Sequence, residues 1–277
     1  MITRHHVALA ILCTLILCGV LVPSDPFLIL VISLGACTGA ILPDIQMKKP
    51  QGMFQIRMAG WIVTRFSSIL CTPIICRLYH ALSGRTFHFG DKRLTHSVPG
   101  ILFLESVLSA FLLVPAFIFL SSASWYLPVA FLCGVIFGLV LHLLEDMCTR
   151  KGITPLFPFS TTKVSGSIRP CDTTDRRIVQ FHFYHCSVAG IIIGFQFIRD
   201  WQDASSVPVC IFALASCLGM MIWLSDVSIS CEPAEYGATG IRIPVLSDLF
   251  TVPGNSDHSS SRLLMGVYYF TKKNDDV

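Results

Sequence analysis

Histidine and aspartate stand four residues apart in the run His142-Leu-Leu-Glu-Asp146. On a helix, residues four apart lie on one face, so this imidazole and this carboxylate can bind one metal ion. Nitrogen and oxygen donors together suit Zn, Mn or Fe, and Mg less readily. The same pair could instead form a hydrogen bond that stabilises the end of the helix. Taken alone, the pair leaves a metal site and a structural contact both open.

Two other short segments carry residues of the same chemical types. Asp44 ends the run Gly-Ala-Ile-Leu-Pro-Asp, and His96 lies in Leu-Thr-His-Ser. Taken singly, an acid at the end of an element and a histidine beside an apolar segment are more often solvated or structural than ligands. Asp91, Lys92 and Arg93 precede His96 and add a carboxylate and two cations. A carboxylate can accept a proton, and cations can bind phosphate oxygens.

The composition indicates that the chain carrying these residues is an integral membrane protein. Hydrophobic residues make up 53% of the 277 residues and charged residues only 13%, with a mean hydropathy of +0.68. A soluble domain carries about 25% charged residues, which argues against a water-soluble globule. The net charge of +3 does not indicate a nucleic-acid partner, so the lipid bilayer is the expected partner. None of the 12 cysteines has C-x-x-C spacing, so a thiolate zinc site has no support.

Six apolar stretches predict an all-α membrane protein with about six transmembrane helices. They cover residues 7–22, 27–42, 99–120, 125–144, 183–198 and 207–224. We interpret the first as a retained span, because no small-residue cleavage site follows it. The apolar segment 51–84 is interrupted by arginines, which predicts an interfacial cytoplasmic helical segment, broken at Pro73, instead of a seventh span.

Lysine and arginine positions predict the orientation of these spans. Every Lys and Arg except Arg199 falls on one side, and basic residues in short loops stay in the cytoplasm. Both termini of this multi-pass protein are therefore predicted to be cytoplasmic, and the candidate residues face the same side. We divide the chain into a helical membrane domain at 1–225, with a metal site built from 44–152, and a cytoplasmic tail at 226–277.

Two glycine motifs predict that the second span contacts the fourth. Residues 35–39 and 134–138 both have G-x-x-x-G spacing, which lets two helix backbones approach closely. The second motif lies on the same helix ridge as His142. If the two glycine faces meet, Asp44 and His142 will lie at nearly the same depth.

Together, the segments resemble the YdjM-type family of predicted membrane-bound, metal-dependent hydrolases. The resemblance spans about 35–160 and follows the family's order and spacing in Gly-Ala-Ile-Leu-Pro-Asp44-Ile, Leu94-Thr-His96-Ser, His142-Leu-Leu-Glu-Asp146-Met-Cys-Thr149-x-x-Gly152 and Pro-Leu-Phe-Pro-Phe-Ser160. The family is multi-spanning and prokaryotic, and it is regarded as distantly related to zinc-dependent phospholipases C. Carried over by position, the resemblance implies that Asp44, His96, His142 and Asp146 bind a divalent metal ion. Zinc is the first expectation, with Mn, Fe or Mg as alternatives.

The chain departs from the family pattern in two places. Gln46 stands where members commonly have a second acid, which weakens the case for a second metal ion. Asp91 and Lys92 stand where members often have His-Arg; Lys92 keeps the charge, and Asp91 could still bind a metal. His88 and the His182-x-x-His pair are further candidates, each more often solvated or structural.

The function implied is hydrolysis of a phosphoester, such as a phospholipid-like substrate, at a cytoplasm-facing His/Asp metal site. A bound metal ion lowers the pKa of water toward about 7. Glu145 or Asp91 would accept the proton, while Lys92 and Arg93 would bind the phosphate. The alternative is a non-enzymatic membrane protein, a transporter or regulatory anchor, that binds metal without turnover. Transporters often show broken helices or repeated halves, and neither is evident in this sequence.

Overall fold

The computed structural model describes residues 3–21, 25–46, 71–84, 86–87, 91–119, 121, 124–172, 174–199 and 206–231. Within these ranges the chain forms seven α-helices and one two-stranded sheet. The helices are α1 (Thr3–Leu21), α2 (Pro26–Ile41), α3 (Thr72–Ser83), α4 (Val98–Phe119), α5 (Tyr126–Met147), α6 (Arg177–Arg199) and α7 (Ser206–Leu224). The strands are β1 (Thr162–Ser165) and β2 (Ser228–Cys231), and short 3-10 turns cover Leu42–Gln46 and Lys92–Leu94.

The predicted all-α membrane architecture is confirmed. Five described helices are long and apolar enough to cross a membrane, and they cover Pro26–Asp44, Val98–Phe119, Tyr126–Met147, Arg177–Phe195 and Val207–Leu224. The remaining predicted span corresponds to α1, whose apolar stretch, Arg4–Cys18, is shorter. Helix α1 packs against α2, α6 and α7, so it is an integral part of the helix bundle.

Helix α2 packs against α5 through the two glycine motifs. A Cβ atom at Gly39 would lie 2.1 Å from the carbonyl oxygen of Val135, and one at Gly138 would lie 2.1 Å from that of Ala36. The other glycine of each motif makes an equally close approach. Any side chain here would overlap the backbone of the facing helix, so the predicted contact is confirmed.

The helices run in alternating directions and gather their polar ends at one end of the bundle. His6 at the start of α1 contacts Glu145 at the end of α5, and the turn after α2 contacts the turn before α4. Arg177, the first residue of α6, donates a hydrogen bond to the carbonyl oxygen of Leu224, the last residue of α7. The Lys- and Arg-rich connections therefore share an end with the candidate residues.

The connection between α5 and α6 is held by the small sheet. Strand β1 pairs antiparallel with β2, so the first residues of the predicted tail are tied to this connection. Gly152 has a φ of +61°, and a Cβ there would lie 2.3 Å from the carbonyl oxygen of Val164. Glycine is the residue that this left-handed close approach requires. The tail beyond residue 231 lies outside the described residues, and the division at 225 stays a prediction.

Helix α3 is the described part of the predicted interfacial segment, and residues 51–70 lie outside the described ranges. Pro73 falls in the first turn of α3, where a proline is well tolerated. Ile75 and Tyr79 of α3 pack with Leu94 and Phe157, which belong to the turns before α4 and after α5. Helix α3 therefore covers the connections that carry the candidate residues.

Candidate metal centre

Three histidines and two aspartates meet at the polar end of the bundle. His6 comes from α1, Asp44 from the turn after α2 and His96 from the segment before α4, while His142 and Asp146 come from the end of α5. The side chains of His6 and His142 are fully buried, and that of Asp146 is 15% exposed. We call these five residues the His/Asp cluster. The structure thus brings together the four metal ligands that the resemblance implied and adds His6.

The donor atoms of the His/Asp cluster are spaced as ligands of a metal ion would be. His96 Nε2 lies 3.3 Å from Asp44 Oδ1 and 3.7 Å from Asp146 Oδ2. His142 Nε2 lies 3.6 Å from Asp146 Oδ2, and His6 Nε2 lies 3.5 Å from Asp146 Oδ1. These distances exceed the roughly 2.7–3.2 Å usual for N–H···O hydrogen bonds. Two ligands that each lie about 2.1 Å from a tetrahedral ion are about 3.4 Å apart.

Two histidine rings are oriented by backbone carbonyl groups. His142 Nδ1 lies 2.7 Å from the carbonyl oxygen of Ala40, and His96 Nδ1 lies 3.1 Å from that of Lys92. A carbonyl oxygen can only accept, so each Nδ1 carries the proton and donates it. Each Nε2 is then left with a lone pair that faces the His/Asp cluster. Histidine ligands of metal ions commonly have this arrangement.

Several buried polar atoms of the cluster have no hydrogen-bond partner among the described residues. They include His142 Nε2, Asp44 Oδ2 and His6 Nε2. An unsatisfied buried polar group costs about 1–3 kcal/mol. A cation would bind these lone pairs and the carboxylates together. The residues therefore fit a divalent metal ion.

Among the described residues, two overlapping triads have donor atoms close enough together to hold a metal ion. Asp44, His96 and His142 form one, and His6, His142 and Asp146 form the other. Within each triad, one donor atom from every residue lies within 4.8 Å of the others.

Glu145 lies behind the cluster and not at its centre. Its Oε2 atom is 2.7 Å from His6 Nδ1, and its side chain is 1% exposed. The sequence analysis considered Glu145 as a proton acceptor. The structure places its carboxylate where it can orient the His6 ring, with Nε2 of that ring facing Asp146.

Asp91 and Arg93 contact each other. Asp91 accepts a hydrogen bond from the backbone N–H of Arg93 at 3.0 Å, and the two side chains form an ion pair at 2.8 Å. The Arg93 guanidinium also lies 4.9 Å from the centre of the Phe157 ring. Lys92 contributes its carbonyl oxygen to His96 and has an exposed side chain. These three residues stand on the turn that leads into His96.

Tyr79 supports the segment that carries His96. Its hydroxyl group lies 3.2 Å from Ser97 Oγ, and Ser97 Oγ accepts a hydrogen bond from the backbone N–H of Gly100. Burial raises the pKa of Tyr79 to about 12, so the hydroxyl group remains protonated at neutral pH. Helix α3 thereby holds the start of α4 in place beside the cluster.

The other histidine candidates lie apart from the cluster or outside the described residues. His182 Nε2 is 3.0 Å from His5 Nδ1, and His185 Nδ1 donates a hydrogen bond to the carbonyl oxygen of Phe181. Neither belongs to the two triads. His88 lies outside the described residues.

The sequence analysis missed His6. The residue stands at the start of an apolar stretch, and no other candidate donor is spaced from it as a recognisable motif. The sequence does contain one indication of this role. His5 and His6 stand together at the polar end of the first span, on the side predicted for the other candidate ligands. The location of His6 in the cluster depends on how α1 packs against its neighbours, and the sequence does not show that packing.

Comparison with known protein families gives a match over most of the chain. The family model described as YdjM inner membrane protein matches residues 1–226. The matched region includes the whole His/Asp cluster, and it also covers α1, α6 and α7, which the resemblance over 35–160 left out. No curated protein and no solved structure matches the chain.

Proposed function

The chain belongs to the YdjM inner membrane protein family, and from this premise we propose that it is a membrane-bound metal-dependent hydrolase. One observation supports the proposal above all others. Three imidazole Nε2 atoms and two carboxylates face a buried centre with spacings of 3.3–3.7 Å. Helix packing alone does not require five ionisable side chains to converge, and ionisable groups at membrane depth are usually functional.

The residues of the cluster would hold the ion and leave one side open. Asp44, His96, His142 and Asp146 supply the nitrogen and oxygen donors that zinc prefers, and Mn, Fe or Mg remain alternatives. A divalent ion there would lower the pKa of water toward about 7 and so supply a nucleophile at neutral pH. Asp146 is 15% exposed, whereas His142 is fully buried, so substrate would approach from the Asp146 side.

A phosphoester is the substrate class that the surrounding charges favour. Arg93 is 50% exposed and lies beside the segment that carries His96. A guanidinium group can bind phosphate oxygens through two parallel N–H···O bonds. Lys92 adds a second exposed cation on the same turn.

An apolar turn next to the cluster favours a lipid as the source of that phosphoester. The backbone N–H of Val98 donates to the carbonyl oxygen of Pro155 at 2.7 Å, which fixes the turn at the start of α4. Leu156 and Phe159 on this turn are 54% and 53% exposed. Leu102, one turn into the span, is 61% exposed. Exposed apolar side chains thus lie both on a membrane-spanning helix and on the turn fixed to its start, as a path for acyl chains would require.

Hydrolysis assays of the purified full-length chain test the proposal. We expect release of phosphate or a phosphoalcohol from phosphoester substrates in the presence of Zn²⁺ or Mn²⁺. His142→Ala should reduce the rate at least about 100-fold, the usual contribution of one catalytic group. His185→Ala is the matched control, because His185 is also a buried helical histidine but lies outside the cluster.

Two results would contradict the proposal. One is the absence of hydrolysis with every common divalent ion. The other is equal activity in His142→Ala and the wild type. Metal binding without any turnover would support the alternative, a transporter or regulatory anchor that binds metal.

A further inference from the structure

We infer that the His/Asp cluster holds two divalent cations, bridged by the carboxylate of Asp146, with His6 as a ligand of the second. This inference rests on the proposed metal-dependent function and adds a cation position to it. The two oxygens of Asp146 face different nitrogen donors. Oδ2 lies 3.6 Å from His142 Nε2 and 3.7 Å from His96 Nε2, whereas Oδ1 lies 3.5 Å from His6 Nε2.

The ring orientations separate His6 from the first position. An imidazole binds a metal ion close to the plane of its own ring. The rings of His6 and His142 are stacked, with centroids 4.1 Å apart and an angle of 21° between their planes. Nearly parallel stacked planes do not meet near the rings, so the two Nε2 lone pairs cannot both point at one ion. They can point at two ions side by side, and paired ions are about 3.5–4 Å apart.

His96 and His142 have the opposite relation. Their ring centroids are 5.1 Å apart, and their planes meet at 66°. Planes at this angle can intersect at a shared ion. Asp44, His96, His142 and Asp146 Oδ2 therefore form the first position, and His6 with Asp146 Oδ1 forms the second. The second position has fewer protein donors, so it has room for water and for a phosphate oxygen of the substrate.

The charge of the centre also favours two cations. Three acidic side chains lie in it or against it, since Asp44, Glu145 and Asp146 are all in contact with its histidines. The three negative charges of these carboxylates exceed the two positive charges of one divalent cation. One ion would therefore leave a net negative charge buried, which is costly. A second cation leaves a single positive charge, which a bound hydroxide or phosphate ester would neutralise.

Helix α1 supplies the additional donor, since His6 Nε2 lies 3.5 Å from Asp146 Oδ1. Glu145 holds the His6 ring through Nδ1 and so directs Nε2 toward the second position.

Equilibrium dialysis against Mn²⁺ counts the ions. The full-length chain in detergent is first stripped with a chelator. We expect two ions per wild-type chain and one per His6→Ala chain. His5→Ala is the matched control and should bind two, because His5 contacts His182 and not the cluster. One ion per wild-type chain, as expected if His6 is instead an imidazolium paired with Glu145 and Asp146, would overturn the inference but leave the proposed function intact.

Two further outcomes complete the test. Two ions in His6→Ala would also overturn the inference, and no binding in the wild type would overturn the proposed function with it. Electron paramagnetic resonance of the Mn²⁺-loaded wild type does not depend on any variant. Ions bridged by one carboxylate should give an exchange-coupled spectrum. The six-line spectrum of isolated Mn²⁺ at full loading would contradict the inference.

Discussion

At the scale of single residues, the proposed metal centre depends on groups that orient its candidate ligands. Each of the three histidines has Nδ1 next to an oxygen atom: a carbonyl oxygen for His96 and His142, and the Glu145 carboxylate for His6. Such partners fix both the tautomer and the direction of the ring. These contacts leave Nε2 of every histidine directed into the cluster, as the proposed metal site requires.

Glu145→Gln tests whether Glu145 positions His6. An amide keeps the shape of the side chain but removes the negative charge beside Nδ1, so we expect metal affinity to fall about 10- to 100-fold. Isothermal titration with Zn²⁺ measures the change. Glu105→Gln is the matched control, since Glu105 is a buried acid in α4 that accepts a hydrogen bond from Ser109. If Glu145 were the proton acceptor instead, the variant would keep its metal affinity and lose only its activity.

At the scale of helices, the contact between α2 and α5 sets the position of the candidate metal ligands. The glycine motifs bring the two backbones together, and His142 then reaches the carbonyl oxygen of Ala40 on the facing helix. Asp44 lies at the end of the same helix and joins His142 in one triad. A change in the helix contact should therefore alter the metal site without touching a ligand.

Gly138→Ala tests this coupling. The new Cβ would lie 2.1 Å from the carbonyl oxygen of Ala36, so α2 and α5 must move apart. We expect at least a tenfold loss of metal affinity, measured by competition with a chromogenic chelator. Gly190→Ala is the matched control, because a Cβ at Gly190 meets no atom within 4 Å. Equal affinity in both variants would show that the helix contact does not position the site.

The helix scale also explains what the sequence could and could not predict. The contact of α2 with α5 was predictable, because the spacing of glycines within each helix determines which face can approach a neighbour. The contact between Asp146 and His6 was not predictable. His6 reaches the cluster because α1 packs against α2, α6 and α7, and the sequence does not show that packing. The ion pair between Asp91 and Arg93 was not predictable either, since a sequence motif does not show which side chains contact each other.

At the scale of the whole molecule, the alternating helices place the cluster at the end that carries the basic connections. The positive-inside rule then predicts that this end is cytoplasmic. Reporter fusions after Lys92 and at the C-terminus should therefore both report a cytoplasmic location. An external location for either fusion would reverse the orientation and move the site to the other side of the membrane.

The exposed apolar turn predicts different effects on two kinds of substrate. Replacing Leu156 and Phe159 with serine should slow hydrolysis of phospholipid in vesicles at least tenfold, because the path from the bilayer would lose its apolar surface. Hydrolysis of a short water-soluble phosphoester should not change. Serine at the exposed Phe117, near the far end of α4 and away from the turn, is the control. Equal losses on both substrates would indicate damage to the site instead of a lost lipid path.

X-ray absorption spectroscopy of the zinc-loaded chain tests the central claim, that imidazoles and carboxylates of the cluster bind metal. The expected spectrum shows nitrogen and oxygen ligands at about 2.0–2.2 Å, with the outer-shell scattering of at least two imidazole rings. His142→Ala should lose part of that scattering, and His185→Ala should retain it. A wild-type chain that binds no stoichiometric zinc, or whose zinc has no imidazole ligand, would contradict the claim.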